Sequence, residues 1–203
     1  MNDTKEKILD AAERIFSEHG YAAASLRAMI ADAGVNLAAV HYHFGSKEKL
    51  LIEVVRRRVG PINDERLRLL DDCERAAAGG PPELEKVLEA FLAPTMVVFR
   101  HPQGPVFVRL MGRMYVDSVL GNLVRNVFSD VVERFTAALH RALPELPRDE
   151  LLWRMFLGAG VMGQAMLAGR EAPGFSEDAT LDRLVTFLSA GFRAPVRQPA
   201  AKD

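Results

Sequence analysis

An all-α chain, with a small N-terminal three-helix unit and a larger helical body, follows from three observations in the sequence. Apolar residues recur at helical spacing from the start, at Ile8, Leu9, Ala12, Ile15 and Phe16, giving one buried stripe. No alternating, β-branched segment competes with that pattern. Between Ser25 and Leu50, two short apolar-faced segments are each preceded by a side chain able to cap a helix and are divided by Gly34.

Each element has a local reason. Asp3 with Glu6 three residues on predicts a capping-box start for a helix over 4–19. Ser25 caps a second helix whose Leu26, Met29, Ile30 and Ala33 share a face, and Gly34 supplies the left-handed turn that ends it. Asn36 caps a third helix over 37–43, and Gly45-Ser46 ends that one and starts a fourth. In the third helix Val40 and Phe44 are four apart and, with Val35, point inward toward Ile15, Phe16, Leu26 and Ile30. Leu37, Ala38, His41 and Tyr42 then form a compact outward patch. Two short helices about a glycine turn are the helix-turn-helix arrangement, whose second helix enters a major groove. The alternative is a two-helix corner of a helical core with an aromatic surface.

The order and spacing of three blocks, ILDAAERIFSEHGY, SLRAMIADAGV and VNLAAVHYHFGSKEKLL, carry a resemblance. Residues 1–50 resemble the DNA-binding domain of the TetR family of bacterial transcriptional regulators. The chain departs from many members in carrying His at 41 and 43 where Tyr is common, which bears on base preference. The resemblance implies that Ser25 meets phosphate and Arg27 meets phosphate or a base. Lys47, opening the fourth helix, can bring both its amide and its ammonium to a phosphate. The expected DNA-facing set is Ser25, Arg27, Asn36, Leu37, Ala38, Ala39, His41, Tyr42, His43 and Lys47.

Composition is consistent with that expectation. The 203 residues are 49% hydrophobic, which excludes a disordered chain, and the formal charge of −1 leaves +1 on residues 1–60 and −2 on the remainder. So even a balance argues against a non-specific nucleic-acid coat or membrane-surface attraction. One cysteine, Cys73, excludes an intrachain disulfide and a cysteine-based zinc site. His41 and His43 diverge on a helix, and no Gly-rich phosphate loop or HExxH pattern occurs, so no metal, cofactor or catalytic set is expected. The opening MNDTKEK has no apolar signal region and no run of about eighteen apolar residues is evident, so a cytoplasmic protein is expected.

Gly60-Pro61 predicts a break after a linking helix over 47–59, because proline disfavours helical geometry in the residue before it. The Arg56-Arg57-Arg58 triplet lies some 15–18 Å from the groove-facing end at 1.5 Å per residue. It is therefore expected to be a solvated face with interdomain salt bridges. The body, 60–193, predicts helices over 62–78, 82–100, 104–119, 121–143, 148–170 and 177–193, with turns at Gly79-Gly80-Pro81-Pro82 and 101–105. The tail 194–203 has no apolar period and is expected to be disordered.

The stretch 150–169 is apolar around most of its circumference and carries Gly158, Gly160 and Gly163, which fits a close neighbouring backbone. By the family resemblance, 121–143 and 148–170 form a homodimer interface. Met96, Phe99, Phe107, Met111, Met114, Trp153 and Phe156 permit a lipophilic effector cavity, with Arg109, Arg113 or Gln164 as its polar anchor. The C-terminal half is similar to fatty-acid-responsive members, which implies an acyl or aromatic effector. The expected function is a ligand-responsive repressor, its dimer on a palindromic operator in double-stranded DNA and 47–61 the coupling segment. The competing readings are a TetR-like activator, a helical adaptor without DNA binding, and an unrecognised all-α enzyme.

Overall fold

The computed structural model describes residues 2–96, 104–116, 118–168 and 176–196, and every regular element among them is helical. The helices are α1 (Asn2–Ala23), α2 (Leu26–Ala33), α3 (Leu37–Phe44), α4 (Lys47–Ala76), α5 (Leu84–Met96), α6 (Gly104–Val116), α7 (Ser118–Ala142), α8 (Arg148–Ala168) and α9 (Glu177–Arg193). Phe99 and the tail from residue 197 lie outside the described residues, as do the side chains of Arg113 and Met114.

Local chemistry sets the ends of the short helices. Ser25 accepts from the Ala28 amide at 3.1 Å, Asn36 from Ala39 at 2.9 Å and Ser46 from Lys49 at 3.2 Å, so each helix start has an orphan donor satisfied. Gly34 takes φ 64° and closes α2. Two details at α1 differ from expectation. Asp3 lies inside the first turn and pairs with Lys7 rather than capping, and helix resumes beyond Gly20, whose φ of 74° and ψ of 172° mark a kink.

The larger correction concerns α4. Pro61 does not break it: the helix runs 30 residues from Lys47 to Ala76, so the 47–59 and 62–78 segments are one element. Pro61 is exposed, and its missing amide leaves the Arg57 carbonyl without its helical donor. Against that cost, one face buries Leu50, Leu51, Val54, Val55, Val59, Ile62 and Leu70. At roughly 1.5–3 kcal/mol per buried aliphatic side chain, the burial outweighs a proline penalty of about 3 kcal/mol. The first half of α4 packs on α1 and α3, and the second half on α5 and α7.

The arginine triplet is also more tied than a solvated face. Arg57 meets Glu6 at 3.0 Å, Asp10 at 2.9 Å and Glu13 at 2.8 Å, while Arg58 Nε donates to Glu13 at 2.9 Å. Glu13 is only 2% exposed, and both arginines hold it. These bonds fix α1 to α4 within the N-terminal unit rather than bridging to the body. Arg56 pairs with Glu53 on its own helix.

In the body, α5 packs on α4, α7 and α9, and α8 on α6, α7 and α9. Arg154, buried, donates to the carbonyls of Gly191 at 3.0 Å and Phe192 at 2.7 Å, capping the C-terminal end of α9. A Cβ on Gly158 would touch Leu188 of α9 at 3.5 Å, so that glycine admits a side chain of its own subunit rather than a backbone of another. α6 also packs on α1, giving the body a second contact with the N-terminal unit. By length and composition α8 is apolar enough to cross a membrane, contrary to expectation.

Replacing Glu13 by Ala strips Arg57 and Arg58 of their shared carboxylate. Unfolding in urea should show a loss of about 3 kcal/mol, at the low end for a buried pair because both arginines keep an edge in water.

Candidate nucleic-acid interface and internal cavity

α3 is rooted and displayed by the same short sequence. Val40 and Phe44 are buried, 1% and 5% exposed, against a core containing Phe16, Met29 and Leu50, with Val35 packed beside them. The opposite face presents Leu37, Ala38, His41 and Tyr42, the last 75% exposed. The His41 Nδ1 donates to the Gly45 carbonyl at 3.1 Å, and the residue is exposed. Tyr42 meets His43 edge-on at 5.1 Å, and His43 and Ala39 are half-buried at the margin of the patch. Ser25, Arg27 and Asn36 are exposed at the starts of α2 and α3.

Lys47 is less free than the sequence implied. Its ammonium lies 4.5 Å from the centre of the Tyr21 ring, and the Tyr21 hydroxyl donates to Glu48 at 2.7 Å. One aromatic ring thus steadies a cation at the start of α4 and draws the adjacent carboxylate aside. Burial, then the bond to Glu48, pushes the Tyr21 phenol up from 10 to about 12, and the same bond holds the Glu48 carboxyl below its usual range.

The body holds a partly open cavity of about 340 Å³, lined chiefly by apolar side chains from α4 to α8, among them Val59, Phe91, Phe107, Met111, Val124, Met155 and Phe156. Of the sequence-predicted set, Phe107, Met111 and Phe156 reach it. Met96 is buried away from its lining, Arg109 and Gln164 are exposed elsewhere, and Trp153 lies outside, stacked on Phe156 at 5.5 Å. The polar anchors are ones the sequence reading missed, Arg66 and Thr95. Arg66 is 4% exposed; its Nε donates to the Phe91 carbonyl at 2.8 Å, Nη1 to Asn63 at 3.1 Å and Nη2 to Thr95 at 2.8 Å. The signal was present: with α4 continuous, Ile62, Arg66 and Leu70 are four apart, so an arginine interrupts an apolar stripe.

A rooted, outward-facing α3 above a hollow helical body is the layout of a helix-turn-helix regulator. Residues 8–54 match the family "Bacterial regulatory proteins, tetR family" and residues 89–191 match "Tetracyclin repressor-like, C-terminal domain". The chain belongs to the TetR family. It is 39% identical over 54 residues to the HTH-type transcriptional repressor AcnR of Corynebacterium efficiens, covering 27% of this chain and 29% of that one. It is 36% identical over 78 residues to the regulator LmrA of Bacillus subtilis, covering 38% of this chain and 42% of that one. The chain thus aligns with less than half the length of these relatives. The fold is similar to that of the fatty acid degradation regulator FadR of Bacillus halodurans, with a TM-score of 0.61 at 16% identity over 95% of this chain and 97% of that one.

Because the Tyr21 value is raised on folding, its stabilising contribution is complete below pH 10 and lost as pH rises through about 12. An ultraviolet difference titration of the native protein against Tyr21→Phe should show one phenol with a midpoint near 12, and the variant should lose that alkaline step in its stability.

Proposed function

We propose that the chain is a homodimeric repressor that sets α3 of each subunit in a major groove and loses operator affinity when a small, largely apolar ligand fills the body. The observation that carries this reading is the division of α3, with Val40 and Phe44 rooted in the core and Leu37, Ala38, His41 and Tyr42 turned to solvent. Small residues beside His and Tyr allow close approach to base edges and phosphates. Ser25, Arg27, Asn36, Ala39, His43 and Lys47 complete the contact set, and Tyr21 keeps Lys47 poised and Glu48 withdrawn.

Two routes run from the cavity to the DNA-facing unit. α4 carries Lys47 at its start and Val59, Ile62 and Arg66 on the cavity wall; α6 carries Phe107 and Met111 on that wall and packs on α1. A ligand that binds better when the two α3 helices are out of register releases DNA by shifting that equilibrium.

The homodimer forms through α8 and α9. Trp153, Phe156 and Leu157 of α8 and Phe187 of α9 are each at least half exposed, a patch that calls for a partner. The expected face on 121–143 with 148–170 shifts accordingly, since among described residues Val132 is the large exposed apolar side chain on α7. Half-sites should then lie near 34–36 Å apart, one duplex turn.

Selection of bound sequences from random duplexes should return a palindrome. Double replacement of Tyr42 and Lys47 by Ala should weaken binding by about a hundredfold or more at fixed salt while native mass spectrometry still shows a dimer. Unchanged binding overturns the contact set. Trp153→Glu should convert the dimer to monomer in light scattering and reduce operator affinity with it.

A further inference from the structure

Resting on the reading of α3 as the helix that enters the major groove, we propose that His41 determines sequence specificity by accepting a hydrogen bond from an exocyclic amino group, adenine N6 or cytosine N4, on one base pair of each half-site. The polarity of that bond follows from how the imidazole is held.

Two bonds join His41 to Gly45 in opposite senses. The Gly45 amide donates to the His41 carbonyl at 3.0 Å, and the His41 ring meets the Gly45 carbonyl through Nδ1 at 3.1 Å. A carbonyl oxygen only accepts, so Nδ1 carries the hydrogen. In the neutral ring, the form histidine ordinarily holds above pH 7, one nitrogen carries hydrogen and the other accepts. Nε2 is therefore an acceptor. The backbone that presents the Gly45 carbonyl is itself restricted. Gly45 has φ 75° and ψ −47°, and the Ser46 amide donates to the Phe44 carbonyl at 2.9 Å, a γ-turn that a residue with a Cβ adopts only under strain. The glycine after α3 thus sets the tautomer of a side chain four residues earlier.

An acceptor has few partners on a duplex. Phosphate oxygens only accept, as do guanine N7 and O6, adenine N7 and thymine O4. The donors in the major groove are adenine N6 and cytosine N4. A tyrosine hydroxyl at position 41 would both donate and accept and so could meet a phosphate; the neutral imidazole held by Gly45 has no hydrogen left to give. His41 is exposed on the face that carries Leu37, Ala38 and Tyr42. Leu37 and Ala38, one turn before it, offer no hydrogen-bonding side chain, so the imidazole supplies the directed bond on that part of the patch.

The test uses the full-length protein and its His41→Ala variant at about pH 8, on a duplex that wild type selects from a random pool. Each pair is altered in turn in both half-sites, either by removing the amino group (purine for adenine, pyrimidin-2-one for cytosine) or by removing N7 (a 7-deazapurine). At one pair of the half-site, amino removal should weaken wild type at least about tenfold more than it weakens His41→Ala. Removal of N7 should act on the two proteins alike, within about twofold, at every pair. His41→Phe, which keeps a ring and loses the acceptor, should behave as His41→Ala. A loss on N7 removal that wild type suffers and His41→Ala does not makes the ring a donor and overturns the assignment. Equal losses for both proteins at every pair overturn it too, and either result leaves α3 in the groove. If wild type selects no sequence at all, the reading of α3 falls and this assignment falls with it.

Discussion

The uninterrupted burial along α4 is the constraint on which the molecule depends. A helix of 30 residues spans about 45 Å, and this one gives its first turns to the core under α3 and its later turns to the wall of the cavity. Were it broken at Pro61, the two units would be joined by a hinge and position in one would say little about the other. The Glu13 cluster fastens α1 to the first half of the same helix. Ile62 and Arg66 are joined to Lys47 by one continuous helix rather than by a chain of loops.

The N-terminal unit was legible because its signals are local. Caps act within three residues, Gly34 acts on its own dihedral angles, and the alternation of rooted and displayed positions in α3 follows from a period of 3.6. The body was legible in outline, since its turns are marked by glycine and proline. The error at Pro61 has the opposite character. A local rule predicted a break, and long-range burial on α5 and α7, which no short window contains, overrode it.

The same error hid the cavity's polar end. With α4 ended at residue 59, Arg66 belonged to another helix of unknown rotation, and arginines and a glutamine near apolar runs were the natural anchors. Arg109 and Gln164 instead face solvent, and Met96 fills core. Methionine and aromatic content identifies adaptable apolar volume but not which part of it stays empty, because that depends on how α4, α6, α7 and α8 splay. The glycines of α8 show the same limit. Gly158 admits Leu188, Gly163 lines the cavity, and a Cβ on Gly160 would meet open space.

The Trp153–Phe156 stack gives the protein an optical property of its own. Trp153 is the sole tryptophan in the chain, more than half exposed, and its ring stacks on Phe156, which also lines the cavity. In the dimer and ligand-bound forms proposed above, its emission would report two environments, the contents of the cavity and the surface of a neighbouring subunit. A single indole would then follow both proposed events without any added dye.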